Sequence, residues 1–283
     1  MWRSTTVRRV TGDSVLVLGA TGKTGRLVAS LLRQRGDRVR AVSRSSATRF
    51  DWDDERTWAP ALAGIGSVYL ATPTVPDLAV DAVRAFVPRA VRSGVRRLVL
   101  LSGRSARAGS KRMLALEEPV RSSGVAWTIL RPSVFNQNFA EGRLRDAVRA
   151  GTLRQIATGH APIDFIDVAD IAEVAVAALT ADGHGGQTYE LSGPRALSYA
   201  DAMAVIADET GRAIEVVEVD PAEWAAGALA AGTSQDAVAW SLEAATGVRD
   251  CFYATPFDDV RRVLGRAPRA FEDFVREAAD IWR

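Results

Sequence analysis

The chain has 283 residues, 47% of them hydrophobic and 25% charged, so it can bury a large core as one big domain or two small ones. Its 36 basic and 34 acidic residues nearly cancel to a formal charge of +2, and no Lys/Arg block interleaved with aromatics occurs, which argues against a nucleic-acid partner. One cysteine (Cys251) excludes an internal disulfide framework, two histidines (His160 and His184) argue against a His-based metal site, and no apolar run reaches the roughly 20 residues needed to span a membrane.

The first residues, 1–13, lack a long apolar core and a small-residue cleavage site, so they read as a loose extension rather than a signal peptide, and a cytoplasmic, reducing location is expected. A strand follows at Val15–Leu18 and ends in Gly19, Gly22 and Gly25, spaced G-x-x-G-x-x-G. A helix comes next, with Leu27, Val28, Leu31 and Leu32 on one face. Strand, glycine turn and helix form the context in which such a motif cradles a dinucleotide pyrophosphate, with the helix N-terminus facing the anion. A P-loop needs a glycine at position 17, which is Val17. Gly19, Thr21, Gly22, Lys23, Thr24 and Gly25 are therefore candidate cofactor contacts.

Gly36 ends this helix, and a strand is expected at Val39–Ser43. A short strand at Arg49–Trp52 and a helix from about Arg56, broken by Gly64 and Gly66, come next. The pattern continues with a strand at Val68–Ala71, a helix at Asp77–Arg92 kinked at Pro88, a strand at Leu98–Leu101, a helix at Arg112–Ser122 and a strand at Ala126–Leu130. Continuously apolar strands alternating with helices imply an α/β fold, a doubly wound parallel sheet of Rossmann type with its ligand at the carboxyl ends of the strands.

After Arg131-Pro132 the helices become longer and Ala-rich, at Ile171–Leu179, Tyr199–Thr210 and Trp224–Ala231. Short strands are expected at Ile163–Ile166, Thr188–Leu191 and Ile214–Val219. The expected organisation is a dinucleotide-binding domain over 14–132 and a smaller, mostly helical C-terminal substrate lobe over 133–283, interleaved with late Rossmann elements.

At the end of the second strand an acidic residue would bind a ribose 2′-OH and repel a 2′-phosphate. This chain has Ser43-Arg44 there, a hydroxyl and a guanidinium suited to a phosphate, so NADPH (NADP+) is the expected cofactor. Asp51 sits where an acceptor for the adenine amino group is expected, although a plain loop aspartate would look the same.

Many short-chain reductases use a Tyr with a Lys four residues later, the Lys lowering the Tyr pKa so that it protonates the product. None of Tyr69, Tyr189, Tyr199 and Tyr253 has Lys at that spacing, and Lys23 and Lys111 are the only lysines. Ser102, closing the Leu98–Leu101 strand, stands where the serine of such enzymes sits, and it is either a catalytic group or a turn residue.

The segments GATGKTG, YLATP (69–73), LVLLSG (98–103), GVAWTILRPSVFNQNF (124–139), IDFIDVADIAEVA (163–175) and TYELSGP (188–194) resemble the NmrA-like group of atypical short-chain dehydrogenases. Within that group FDWDDERTW (50–58) looks most like the ergot-alkaloid-type reductases, the agroclavine and festuclavine dehydrogenases. The resemblance implies that Thr72 and Pro73 lie along the nicotinamide ribose and Ser102 and Gly103 near the nicotinamide. It also implies that Pro132 and Val134 shape the carboxamide pocket and that Phe135 and Asn138 face substrate. Asp167 and Asp170 look like helix-start residues. Where some relatives carry an active-site Lys, this chain has Glu117, Glu118 and Pro119, a departure that puts a ketone-polarising lysine in doubt.

Reducing a ketone makes an alkoxide and needs a proton donor or an oxyanion stabiliser, whereas hydride alone turns an iminium into a neutral amine. A site with no Tyr–Lys pair but with a carboxylate such as Glu118 suits a cationic acceptor, so the expected activity is NADPH-dependent reduction of a C=N bond. A quinone or enone acceptor is the nearest alternative, and a non-catalytic NADP(H)-sensing regulator is the alternative outside enzymology. Phe135, Trp224 and Trp240 are candidate pocket aromatics, a small molecule is the expected partner, and monomer and homodimer remain open.

Overall fold

The computed structural model describes residues 14–72 and 76–283. Its elements in chain order are β1 (Ser14–Val17), α1 (Lys23–Gln34), β2 (Val39–Ala41), α2 (Trp58–Leu62), β3 (Ile65–Leu70), α3 (Pro76–Arg92), β4 (Arg97–Leu101), α4 (Lys111–Arg121), β5 (Ala126–Pro132), α5 (Gly142–Ala150), β6 (Thr152–Ile156), α6 (Val168–Thr180), β7 (Gln187–Leu191), α7 (Tyr199–Thr210), β8 (Glu215–Val219), α8 (Pro221–Ala230), α9 (Gln235–Arg249), α10 (Asp259–Leu264) and α11 (Phe271–Trp282). The 1–13 extension and Pro73 lie outside the described residues.

The chain divides into two units. The first holds the chain up to Pro132 together with Val168–Leu191 and Asp259–Arg266. It is built on a six-stranded sheet in the order β2-β1-β3-β4-β5-β7, every pair parallel. Side chains alternate across such a sheet, and here both faces are apolar. Leu16, Leu18, Val68, Leu70, Leu98, Leu100 and Ile129 form one core with residues of α2, α3 and α4. Val17, Tyr69 and Val99 point to the opposite face, where α1 packs against α6. This is the doubly wound α/β architecture expected from the sequence. The strand order reverses between β1 and β3, and that switch point is where ligands bind in open parallel sheets.

Two expected strands are not strands. Arg49 makes a single parallel bridge to Ser43, and the segment to Trp52 is otherwise a loop. It is held by packing: Phe50 and Trp52 contact Trp58 and Phe86, and the Trp58 indole N–H donates to Asp51 O at 2.8 Å. Ile163–Ile166 is likewise extended chain with isolated bridges, Ile163 to Leu197 and Ile166 to Phe135.

Two elements read as part of the second lobe belong to the first unit. α6, expected at Ile171–Leu179, covers the parallel sheet, and β7, expected at Thr188–Leu191, is its sixth strand beside β5. Their apolar periods are clear in sequence, but a period does not say which core a segment joins.

The second unit holds Ser133–Asp167, Ser192–Asp258 and Ala267–Arg283. Helices dominate it, with one parallel ribbon in which Gln155 of β6 pairs with Glu218 of β8. Its core packs Phe139, Phe165, Tyr199 and Phe271 against one another, and the buried Trp282 N–H donates to Phe139 O at 2.8 Å. Among the described residues, no helix is long and apolar enough to cross a membrane.

Candidate active site

The glycine turn leaves β1 with Gly19 at φ +65°, a left-handed conformation that glycine adopts without strain. Gly22 N donates back to Gly19 O at 2.9 Å and closes the turn. A Cβ on Gly25 would stand 2.2 Å from Gly19 O, so α1 can begin this close to the turn only with glycine there. Gly22 caps α1 without a side-chain hydrogen bond, and no acidic residue occupies the first helical turn. No carboxylate or capping side chain thus offsets the positive field of the helix end, which favours an anion. Thr21 and Gly22 are exposed, while Lys23 is half-buried. Thr24 is buried, and its hydroxyl accepts from the Tyr69 phenol at 2.9 Å, so only its backbone faces the turn. Burial pushes the Tyr69 phenol upward in pKa and keeps it neutral.

Beyond β2 the chain curls into a serine turn: Ser43 N donates to Ser46 Oγ at 2.8 Å, and Ser45 N donates to Ser43 Oγ at 3.3 Å. Arg44 is exposed on this turn and pairs with no carboxylate among the described residues. Asp51 is already engaged, its Oδ2 accepting from Arg49 at 2.8 Å and its Oδ1 from Asp53 N at 3.3 Å. The adenine-acceptor role read for Asp51 therefore competes with an ion pair. Thr72 is half-buried just past β3.

At the ends of β4 and β5 the structure assembles a network that sequence reasoning did not foresee. Ser102 N donates to Leu130 O at 2.8 Å, which seats the serine against β5. Its hydroxyl donates to Glu117 Oε1 at 2.8 Å. Glu117 is fully buried on α4 and also receives Arg131 Nε and Nη2, each at 2.7 Å, and Arg121 Nη2 at 3.1 Å. Arg131 reaches on to Glu190 Oε1 of β7 at 3.1 Å, and Pro132 is buried beside it in sequence. Burial alone would raise the Glu117 pKa, but the hydrogen bonds from Arg131 and Ser102 and the arginine charge outweigh it and hold the carboxyl below its usual range. Glu190 goes the other way: burial dominates and raises it.

Glu118 requires a correction. It is exposed on α4 and lies beside Arg84, Pro88 and Arg92, whereas Glu117, one residue earlier, turns to Ser102. Successive helical residues point about 100° apart, so only one of two adjacent glutamates can face the strand ends. The carboxylate that does face the strand ends, Glu117, is itself paired with Arg131 and Arg121.

The second unit contains a cavity of about 230 Å³ lined by Gln155, Tyr199, Trp224, Trp240, Tyr253 and Arg143, among others. Trp240 is thus at a cavity, while Phe135 and Asn138 are half-buried near the helical turn at Asn136–Asn138 and are not among its lining residues. The fully buried amide of that turn is Asn136, with neither side-chain atom hydrogen-bonded. It lies within the 124–139 segment that carries the resemblance, but nothing in that segment singles out Asn136 from its neighbours Phe135 and Asn138.

A switch-point glycine turn with an uncapped helix end defines a dinucleotide-binding protein. The profile of the NAD(P)H-binding family matches residues 19–182, and the chain belongs to that family. It is 32% identical over 277 residues to an uncharacterized oxidoreductase of Bacillus subtilis, with 95% of this chain and 96% of that protein covered. It is also 32% identical over 285 residues to the agroclavine dehydrogenase of Claviceps fusiformis, covering 95% and 98%. Among solved structures, the NADPH complex of an Escherichia coli NADPH-dependent quinone oxidoreductase superposes with a TM-score of 0.80 at 20% identity, covering 93% and 98%. The protein is an NAD(P)H-dependent oxidoreductase of the atypical short-chain type, as the resemblance in its motifs implies. The turn fits the cofactor, since Gly25 tolerates no side chain and no side-chain hydrogen bond caps α1 at Gly22.

Proposed function

We propose that the protein is an NADPH-dependent reductase of an electrophile that takes hydride without a proton from an enzyme acid, a C=N bond first among them. The bound cofactor supplies the hydride. The observation that carries the reading is the bond from Ser102 Oγ to Glu117 Oε1: the Ser102 hydroxyl proton at the β4 end is committed to an ionised carboxylate. Neither tyrosine of the first unit stands in for it, because the Tyr69 phenol is bound to Thr24 and the Tyr189 phenol to His184 Nδ1 at 2.7 Å. A ketone would leave an alkoxide without a donor, while a protonated imine yields a neutral amine.

Ser102 keeps its lone pairs and accepts a hydrogen bond from a nicotinamide carboxamide or from a substrate N–H. Pro132, Gly103 and Thr72 shape the nicotinamide end, and the turn at Gly19, Thr21, Gly22, Lys23, Thr24 and Gly25 holds the pyrophosphate. Ser43 and Arg44, which pairs with no carboxylate among the described residues, select the 2′-phosphate, which is the basis for preferring NADPH to NADH. Substrate recognition falls to the second unit, with Phe135, Asn138 and Trp240 taking part. We place the protein in the cytoplasm, acting on a small molecule as a monomer or homodimer.

A quinone acceptor is the second reading, and a specific observation favours it. The cavity of the second unit is lined by Arg143 and by no carboxylate, which suits a neutral acceptor better than a preformed cation. Hydride transfer to a quinone gives a stabilised phenolate, again with little call for an acid. The test is consumption of NADPH, followed by its absorbance, with panels of cyclic imines, quinones and ketones. Turnover of imines above background supports the C=N reading, quinone-only turnover replaces it with the second, and efficient ketone reduction overturns both.

A further inference from the structure

One residue of β3 holds the glycine turn at both of its ends. On the entry side, Leu18 N donates to Tyr69 O at 3.1 Å, within the β1–β3 pairing that sets Val17 opposite Tyr69. On the exit side, Tyr69 Oη donates to Thr24 Oγ1 at 2.9 Å, in the first turn of α1. The main chain of Tyr69 thus fixes where the turn leaves the strand, and its side chain fixes where the helix begins. Between these anchors, Ala20 N donates to Val42 O at 3.3 Å and Gly22 N closes back on Gly19 O.

The phenol oxygen is not needed to fill the core. Tyr69 is fully buried on the sheet face that also carries the buried Val17 and Val99. Burying a hydroxyl is costly unless it is bonded, so Phe would occupy this place more cheaply. Thr24, which accepts the bond, is only 4% exposed, so water competes little for either oxygen. The turn itself is permissive, since glycine adopts many conformations with little strain. Its shape has to be imposed from outside. An anion at a helix end is held by backbone N–H groups that point at it. A turn already fixed in that geometry loses less entropy when the anion binds.

We infer that Tyr69 is a positioning residue for the dinucleotide: its carbonyl and its phenol together hold the glycine turn and the first turn of α1 in the geometry that receives the pyrophosphate. Tyr69 acts through Thr24 and Leu18 and does not touch the cofactor. The inference rests on cofactor binding and is independent of the reductase reading.

The experiment is titration of the full chain with NADPH and with NADH, followed by cofactor fluorescence, in the wild type, Tyr69→Phe, Thr24→Val and the double variant. Tyr69→Phe keeps the ring and removes the hydroxyl alone. The net worth of a hydrogen bond corresponds to about a 3- to 10-fold change in an equilibrium. The Kd of both dinucleotides is expected to rise by that factor and equally, because the pyrophosphate is common to both. Thr24→Val removes the acceptor instead and should match it, and the double variant should bind no worse than either single one. Thr24→Ser keeps the acceptor and should bind as the wild type does. Val99→Ala, a buried aliphatic change on the same sheet face, should lower the denaturation midpoint and leave Kd unchanged.

An unchanged Kd in Tyr69→Phe overturns the inference and leaves Tyr69 as a core residue. A rise confined to NADPH, or single effects that add in the double variant, overturns it too. So does an equal rise in Val99→Ala, which would trace the loss to general loosening of the sheet. If Tyr69→Phe does not fold, Thr24→Val against Thr24→Ser reads the same bond. No hydride acceptor enters the titrations, so a failure to turn over any acceptor sinks the reductase reading alone.

Discussion

Ser102 Oγ donates its hydrogen to Glu117 Oε1 at 2.8 Å, so the serine faces its ligand as an acceptor and not as an acid. A general acid contributes about 10²- to 10⁴-fold to rate. Ser102→Ala is therefore expected to lower kcat by less than about tenfold, with the pH profile of kcat unchanged in shape. A loss of 10²-fold or more, together with a vanished ionisation, would identify the serine as the proton source and reject the proposed role.

Glu117→Gln removes the buried charge that Arg131 and Arg121 enclose. Taking one partner from a buried pair costs about 3–5 kcal/mol, and because Arg131 retains Glu190 the lower end is expected, read as a fall in denaturation midpoint. The folded Glu117 pKa lies below its unfolded value, near 4.3 for a free glutamate. Its stabilisation is complete above that value and is lost as pH falls through the lower folded pKa. The gap between wild type and Glu117→Gln should accordingly be constant near neutrality and close below about pH 4. Glu190 carries the opposite shift, so Glu190→Gln should cost less than Glu117→Gln at neutral pH.

Gly25→Ala places a methyl 2.2 Å from Gly19 O, a backbone atom that cannot yield without moving the turn. Overpacking of this kind costs about 1–3 kcal/mol, and fluorescence titration should find NADPH binding abolished. Gly22→Ala meets Gly19 O at 3.2 Å and should weaken binding less.

Arg44→Ala removes the guanidinium assigned to the 2′-phosphate. A hydrogen bond to a charged group is worth about 1.5–3 kcal/mol, so the Kd for NADPH should rise about 10- to 100-fold while that for NADH stays nearly constant. Equal effects on both dinucleotides would assign Arg44 to an ordinary solvated position.

What could be read from the chain followed from how local each signal is. The glycine turn needs only residues within a dozen positions, and its strand and helix neighbours confirm it there. The alternation of β1 through β5 with helices is likewise written in short apolar runs. Arg49–Trp52 misled because its aromatics are β-formers, yet they are consumed by Trp58 and Phe86 in a packed loop. Glu117 and Glu118 are the same residue type side by side, and only the phase of α4, set by Leu116 and Val120 in the core, decides which one meets Ser102.

By itself the sequence determined the parallel doubly wound sheet, the dinucleotide turn and the absence of a Tyr–Lys pair, because each depends on period or spacing within one segment. The tertiary structure alone decided that α6 and β7 complete the first unit, since apolar period is blind to destination. It alone closed the Ser102, Glu117, Arg131 and Glu190 network, whose members come from β4, α4, β5 and β7. It alone brought Gln155 of β6, Tyr199 of α7, Trp224 of α8 and Trp240 of α9 to one cavity, since these segments meet only when the chain folds.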